Sequence, residues 1–230
     1  MTDAPRTERG TRTRAKLLEA AEKVFAELGY SEASIVRITE AAGVAQGTFY
    51  LYFPSKLDIF EELVEDLNRR VRHAMTEASA GATNRIESER AGFRGFFEFT
   101  AAHPALYRIV REAEFVSPNA LRLHYSRIVD GYIAGLEAAK KSGDVGDIDP
   151  EIIAWILMGI GEMVGMRWVL WGGGDPAGGA SDPTASGTST VPPNVFEQMM
   201  QFIQQGLGAP ANLADASAGA VGSVHGKDTQ

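Results

Sequence analysis

The sequence predicts an all-α protein. Apolar residues recur every three or four positions through most of the chain, and Gly, Pro and Ser-Pro-Asn breaks divide that pattern into helix-length pieces. No alternating apolar–polar run is long enough for a strand. At 230 residues, with 44% hydrophobic and 23% charged residues, the chain has ample length for a hydrophobic core and an ordinary soluble composition.

Residues 12–28 place Leu17, Ala21, Val24, Phe25 and Leu28 on one helix face, with Gly29 as the natural stop. Ser34 is set to cap a short helix carrying Ile35, Ile38 and Ala42 inward, and Gly43 offers the permissive backbone of a tight turn. A very short helix, Gln46–Tyr50, follows before Pro54 breaks the chain. Ser55-Lys56-Leu57-Asp58 is then an S-x-x-D start signal. Leu57, Phe60, Val64, Leu67, Val71 and Met75 carry that helix inward to near Gly81.

The remainder also reads as helices. Residues 87–102 bring Phe93, Phe96, Phe97 and Thr100, and His103-Pro104 breaks the chain before Leu106, Ile109, Val110 and Ala113. Ser117-Pro118-Asn119 precedes a helix over Leu121–Lys141, and Asp149-Pro150 opens a long apolar one to Trp171. Residues 172–193, small, polar and rich in Gly and Pro, cannot offset their ordering entropy by burial and predict a flexible loop. A last helix turns Val195, Met199, Phe202, Ile203 and Leu207 inward. This divides the chain into a basic arm and three-helix unit over 1–54, a helical domain over 55–208 and a disordered tail over 209–230.

Composition narrows the chemistry. There is no cysteine, so disulfides and thiolate catalysis are excluded, and the N-terminal residues contain no apolar leader; both fit a cytoplasmic protein. Ile152–Trp171 has nearly the length of a membrane span, but Glu162 and Arg167 are costly in lipid, so it reads as a buried helix and no membrane is expected. Residues 1–60 carry as many Lys and Arg as Asp and Glu, so the whole net charge of −8 lies in residues 61–230. Arg6, Arg9, Arg12, Arg14 and Lys16 face only Glu8, a basic edge on an acidic body. Such an edge can approach phosphate while the body is repelled, which favours one docking orientation.

Residues 34–56, SIVRITEAAGVAQGTFYLYFPSK, are the most informative segment. Two short helices joined by a Gly-centred turn can place the second in the DNA major groove. The pattern S-x-x-x-I-T-E-A-A-G-V-x-x-G-T-F-Y-x-Y-F-x-S-K resembles the tetracycline-repressor (TetR) family of bacterial regulators. The resemblance covers residues 14–63 and implies a homodimer with an N-terminal three-helix DNA-binding domain. It also implies a variable C-terminal domain that binds a small-molecule effector and releases a double-stranded DNA operator.

By position, the resemblance puts Ser34 and Arg37 against the phosphate backbone and opens the recognition helix with Gln46, Gly47 and Thr48. It makes Tyr50 and Tyr52 hydroxyl donors to phosphate and Lys56 a charge at a helix start, while Phe49 and Phe53 hold the small domain together. Backbone contacts position a protein, whereas Gln46 can pair with adenine and Thr48 can touch a thymine methyl. Many family members carry Lys where Gln46 stands, so the operator cannot be borrowed from a relative.

In the second half, the Glu151–Trp171 helix is apolar on nearly every side, and Gly161 and Gly165 leave room for a close neighbour. With the last helix it suits a four-helix isologous dimer interface, which would present recognition helices about 34–36 Å apart or a multiple of that repeat. An effector pocket is expected among the helices beginning at Ser55, 104, 121 and 150. The candidate lining groups are Phe96, Phe97, Tyr107, Arg111, Tyr125, Tyr132, Trp155, Met158, Glu162 and Met166. Their character favours a lipophilic compound, though aromatics and Met at helical spacing also make ordinary core.

Glu162, among Ile, Met and Gly, must be paired, hydrogen-bonded or protonated. Arg167 sits about 140° away around the helix, leaving Arg108, Arg111 or a ligand group as its partner. Two other readings compete: an all-α enzyme and an architectural DNA-binding protein without a ligand. H-E-x-x-H, G-x-S-x-G and P-loop patterns are absent, and none of His73, His103, His124 and His225 follows a Glu by three positions, so no metal or cofactor is implied.

Overall fold

A computed structural model describes residues 7–172 and 190–208. Arg6, most of the 172–193 stretch and the 209–230 tail lie outside the described residues. The chain folds into α1 (Glu8–Glu32), α2 (Ile35–Ala42), α3 (Gln46–Phe49), α4 (Lys56–Ser79), α5 (Arg85–Ala102), α6 (Ala105–Val116), α7 (Pro118–Ser142), α8 (Pro150–Gly165) and α9 (Pro193–Gly206). There is no strand among the described residues.

Short polar residues decide where the helices begin. Ser34, Ser55, Asn84 and Ser117 each accept the amide of the residue three positions on, satisfying a donor that the first turn leaves open. Thr7 does the same for Gly10, so α1 starts earlier than its apolar spacing indicates. Arg9, Arg12, Arg14 and Lys16 are therefore helical rather than a free arm. Arg12 pairs with Glu8 at 3.1 Å, and Arg14 pairs with Glu62 on α4, so part of the basic charge is neutralised within the chain.

Two hydrophobic cores result. The first joins Leu17, Val24 and Phe25 of α1 and Ile38 of α2 to Phe49, Phe53, and Ile59, Phe60, Leu63 and Leu67 of α4. Leu106, Ile109 and Ala113 of α6 close it. The second joins Phe93 and Phe97 of α5, Leu136 of α7, Ile153 and Leu157 of α8, and Phe196, Met200 and Ile203 of α9. Phe96 packs against both.

Some side chains differ from their expected direction. Leu57 faces solvent, because the buried face of α4 is centred on Ile59, Phe60, Leu63, Val64 and Leu67. Phe202 also faces out, with Phe196, Met199, Met200 and Ile203 forming the inward side of α9. The long apolar helix is not buried all round: Ile152, Trp155, Ile156 and Met163 stand exposed, although Pro150–Leu170 is long and apolar enough by length and composition to cross a membrane. Its last turn, Met166–Leu170, widens into a π-helix. Gly161 and Gly165 do not admit another backbone but aromatic rings: a Cβ on Gly165 would lie 1.9 Å from the Tyr107 hydroxyl, and one on Gly161 3.0 Å from Phe93.

Near its end α1 bends at Gly29, whose φ of 76° and ψ of 167° suit glycine alone. A Cβ there would also fall 2.5 Å from Glu112 Oε1. Gly29→Ala is expected to cost about 1–3 kcal/mol, read as a lower urea midpoint at unchanged slope. Gly131→Ala, where a Cβ meets nothing within 4 Å, is the control and should show no such loss.

Candidate functional site

The helix-turn-helix is built from capping and a left-handed turn. Ser34 Oγ accepts the Arg37 amide at 3.2 Å, and α2 ends at Gly43 with φ 66° and ψ 36°. The Gly43 and Val44 amides return to Glu40 and Thr39 carbonyls at 3.1 and 3.0 Å, closing the end of α2. Thr39, 3% exposed, satisfies its hydroxyl within α2 by donating to the carbonyls of Ile35 and Val36.

α3 hangs from this turn by its aromatics. Phe49 and Phe53 are buried with ring centroids 5.6 Å apart, and the Arg14 guanidinium covers Phe53 at 5.0 Å. That leaves Gln46 and Gly47 exposed and Thr48 half-buried, with open space around the Cβ position of Gly47. Arg37 is exposed and has no ion-pair partner among the described residues. Tyr50 is half in water against the edge of Phe49, whereas Tyr52 is half-buried against the first core. Val36 and Leu51, 45% and 74% exposed, also stand on this segment. An inward-apolar rule overlooks them, since nothing in their spacing separates a core residue from one displayed to a partner.

Lys56 is placed differently from the other expected phosphate ligands. Its ammonium donates to the carbonyls of Tyr30 at 2.7 Å and Ala33 at 2.8 Å, with Ser31 at 3.4 Å, and sits 4.4 Å from the Tyr30 ring centroid. It binds the end of α1 to the start of α4.

The second half holds a cavity of about 60 Å³ between α4, α5, α6, α7 and α8. Of the expected lining groups, Tyr107, Arg111, Tyr125, Met158 and Glu162 line it, as do Phe96 and Tyr132. Phe97 instead packs in the second core, Trp155 lies 47% exposed on the outer face of α8, and Met166 sits behind Arg111, its sulfur 3.1 Å from a guanidinium nitrogen. Glu162 has neither expected arginine: the Tyr125 hydroxyl donates to its carboxylate, 3.1 Å from both oxygens. Arg108 is used elsewhere, on the carbonyls of Ala26 and Glu27. Burial, and then the Glu162 charge, push the Tyr125 and Tyr107 phenols above their ordinary range. The Tyr107 hydroxyl is buried without a hydrogen-bond partner among the described residues.

His124 also lines this cavity, and its spacing alone did not separate it from an ordinary core residue. Asn68 Nδ2 donates to its carbonyl at 2.9 Å and lies 3.2 Å from its Nδ1, so the neutral ring serves as acceptor. Burial pushes its pKa down from 6.5 to about 4. Among the described residues no three His, Cys, Asp or Glu side chains converge to hold a metal ion.

A capped helix, a left-handed glycine and a short helix displaying Gln46, Gly47 and Thr48 define a helix-turn-helix DNA-binding protein. Residues 17–63 match the model of the family described as bacterial regulatory proteins, tetR family. The HTH-type transcriptional regulator YdgC of Bacillus subtilis is 31% identical over 180 residues, spanning 76% of this chain and 90% of its own. The fatty acid metabolism regulator protein of the same organism is 27% identical over 161 residues, spanning 67% of this chain and 82% of its own. Salmonella enterica GusR shares the fold with a TM-score of 0.70 at 21% identity, over 89% of this chain and 99% of its own. The chain belongs to the tetR family and is a transcriptional regulator with a DNA-binding helix-turn-helix.

The low pKa of His124 makes stability depend on pH. The unfolded chain binds this proton near 6.5 and the folded one only near 4, so unfolding takes up a proton between them and stability falls as pH drops through that window. His103, also shifted downward, chiefly by burial and then by Arg70, acts in the same direction. The expected outcome is that His124→Gln flattens the decline of Tm from pH 6.5 to 4.5 relative to the unaltered chain.

Proposed function

We propose that this regulator is a ligand-responsive repressor that binds a pseudo-palindromic operator as a homodimer and is released by a lipophilic small molecule. One observation carries the reading: α4 begins beside the DNA-binding helices at Ser55 and continues to Val71 and Met75 in the wall of the cavity. A cavity of about 60 Å³ holds a few waters, so a larger effector must move the walls to enter. A ligand that prefers the widened shape then favours a different tilt of α4 and a different spacing of the recognition helices. Coupling of about 1–3 kcal/mol changes operator affinity about 5–150-fold. The largely apolar lining favours a lipophilic ligand, and one relative is named a fatty acid metabolism regulator protein.

The homodimer reading rests on apolar surface left in water. Ile152, Ile156 and Met163, at 54%, 54% and 58% exposed, form one stripe on α8, and Phe202 on α9 is 66% exposed. An isologous four-helix contact between two copies would cover both and set a two-fold axis for two half-sites.

At the DNA, Ser34, Arg37, Tyr50 and Tyr52 take phosphate roles in this reading, and Gln46, Gly47 and Thr48 enter the major groove. Lys56 contributes by holding α1 to α4, and reaches phosphate only by leaving its carbonyls. Residues 1–54 are the DNA-reading unit and residues 55–208 the effector and dimer unit, in a cytoplasmic protein.

Selection of bound DNA from a random pool is expected to return a symmetric site. On that site Gln46→Ala should cost about 1–3 kcal/mol at particular base pairs while leaving random DNA unaffected; equal losses on both would assign Gln46 to the backbone instead. Phe202→Asp should yield monomers in sedimentation and weaken symmetric-site binding at least about tenfold, whereas a dimer of normal affinity would remove α9 from the interface.

A further inference from the structure

The cavity has a polar neighbour. A second space of about 160 Å³ opens between α4, α5 and α7, and Met75, Ile128 and Tyr132 line both. Around the second space stand Arg72, Arg85, Glu89, Thr76, Ser79 and Ser88. We propose that this annex receives an oxyanion, a carboxylate or a phosphate, carried by an effector whose apolar body occupies the adjoining cavity. The proposal rests on the reading of that cavity as the effector site and adds the ligand's charge and shape.

Charge and unmet donors argue for it together. Arg72 forms no ion pair among the described residues; its Nε donates to Asn68 Oδ1 at 3.1 Å, which leaves both terminal nitrogens for another acceptor. Arg85 pairs with Glu89, yet its Nε is buried without an acceptor. A buried donor left unmet is costly, so a shift of the Arg85 side chain that brings it to an acceptor oxygen is favoured. Two guanidinium groups thus face one carboxylate. Glu89, 2% exposed, is held in that ion pair, so Arg72 supplies the annex's uncompensated positive charge.

The partition between the two spaces is adaptable. Met75 has three rotatable bonds and an unbranched chain, so it can turn aside without moving the backbone. An occupant of both spaces would also engage a chain of hydrogen bonds. Arg72 holds Asn68, and Asn68 holds the carbonyl and ring of His124, which faces the cavity. An oxyanion on Arg72 and an apolar body beside His124 would therefore load α4 and α7 at one point.

Calorimetric titration of the full chain at pH 8 with dodecanoate, dodecyl phosphate and dodecanol tests this. At least one of the anions is expected to bind about tenfold or more tightly than the alcohol, the size of one charge-assisted contact, and the tighter of the two identifies the head group. Arg72→Gln should remove that advantage and leave the alcohol unchanged. Glu89→Gln, which removes the competing carboxylate, should strengthen anion binding. Equal affinity for all three probes, or an anion preference that survives Arg72→Gln, overturns the annex while the effector cavity stands. Failure of all three to bind or to loosen DNA counts against both.

Discussion

The bend at the end of α1 is the constraint on which the rest of the structure depends. A helix end leaves carbonyls without intrahelical donors and carries partial negative charge. α1 has no Lys or Arg in its last turn, so the donors come from other helices. Arg108 of α6 donates to the carbonyls of Ala26 and Glu27 at 2.6 and 3.1 Å, and Lys56 of α4 serves those of Tyr30 and Ala33. Glu112 of α6 accepts the Tyr30 amide at 2.8 Å. The Tyr30 ring fills the corner, 5.0 Å from Phe60 and 5.8 Å from Phe25 between centroids. These contacts fix how the end of α1 sits on α4 and α6, and so the frame in which the DNA-reading helices stand.

The two helices that hold the junction also line the cavity. Val71 and Met75 come from α4, and Leu106, Tyr107, Val110 and Arg111 from α6. Packed helices move as bodies, because interiors are too dense to absorb a shift locally. A change in cavity width of the kind the proposed function requires would reach the Gly29 bend along two routes. Arg70 adds rigidity to one of them, joining α4 to Glu22 of α1 at 2.9 Å. In the proposed function, these routes are how an effector would reach the recognition helices.

Polar groups near the cavity show why its chemistry was only partly legible. Glu162 stood out in the sequence as a carboxylate in an apolar run, and it does line the cavity. Its partner could not be read, because Tyr125 belongs to α7 and meets it only through the packing of α7 on α8. Trp155 and Phe97 have the same apolar character as the lining residues. Which side of their helices faces the cavity depends on where neighbouring helices lie. His124 and the annex arginines carried no sequence signal beyond ordinary polarity, since their meaning lies in burial and in unmet donors.

Local physics made most of the fold readable. Cap residues at Ser34 and Ser55, the glycine turn at Gly43 and the three-to-four-residue apolar spacing all act over a few positions, so the helices and the helix-turn-helix followed from sequence alone. The family pattern came from the same short range. Rotational phase, charge pairing and the cavity belong to the tertiary structure, because each depends on side chains brought together from distant helices. Leu57 and Phe202 face water because the neighbouring helices lie against the opposite side. Lys56 is turned onto carbonyls of α1 because packing delivers that helix end to it, a contact that no spacing within residues 55–58 encodes.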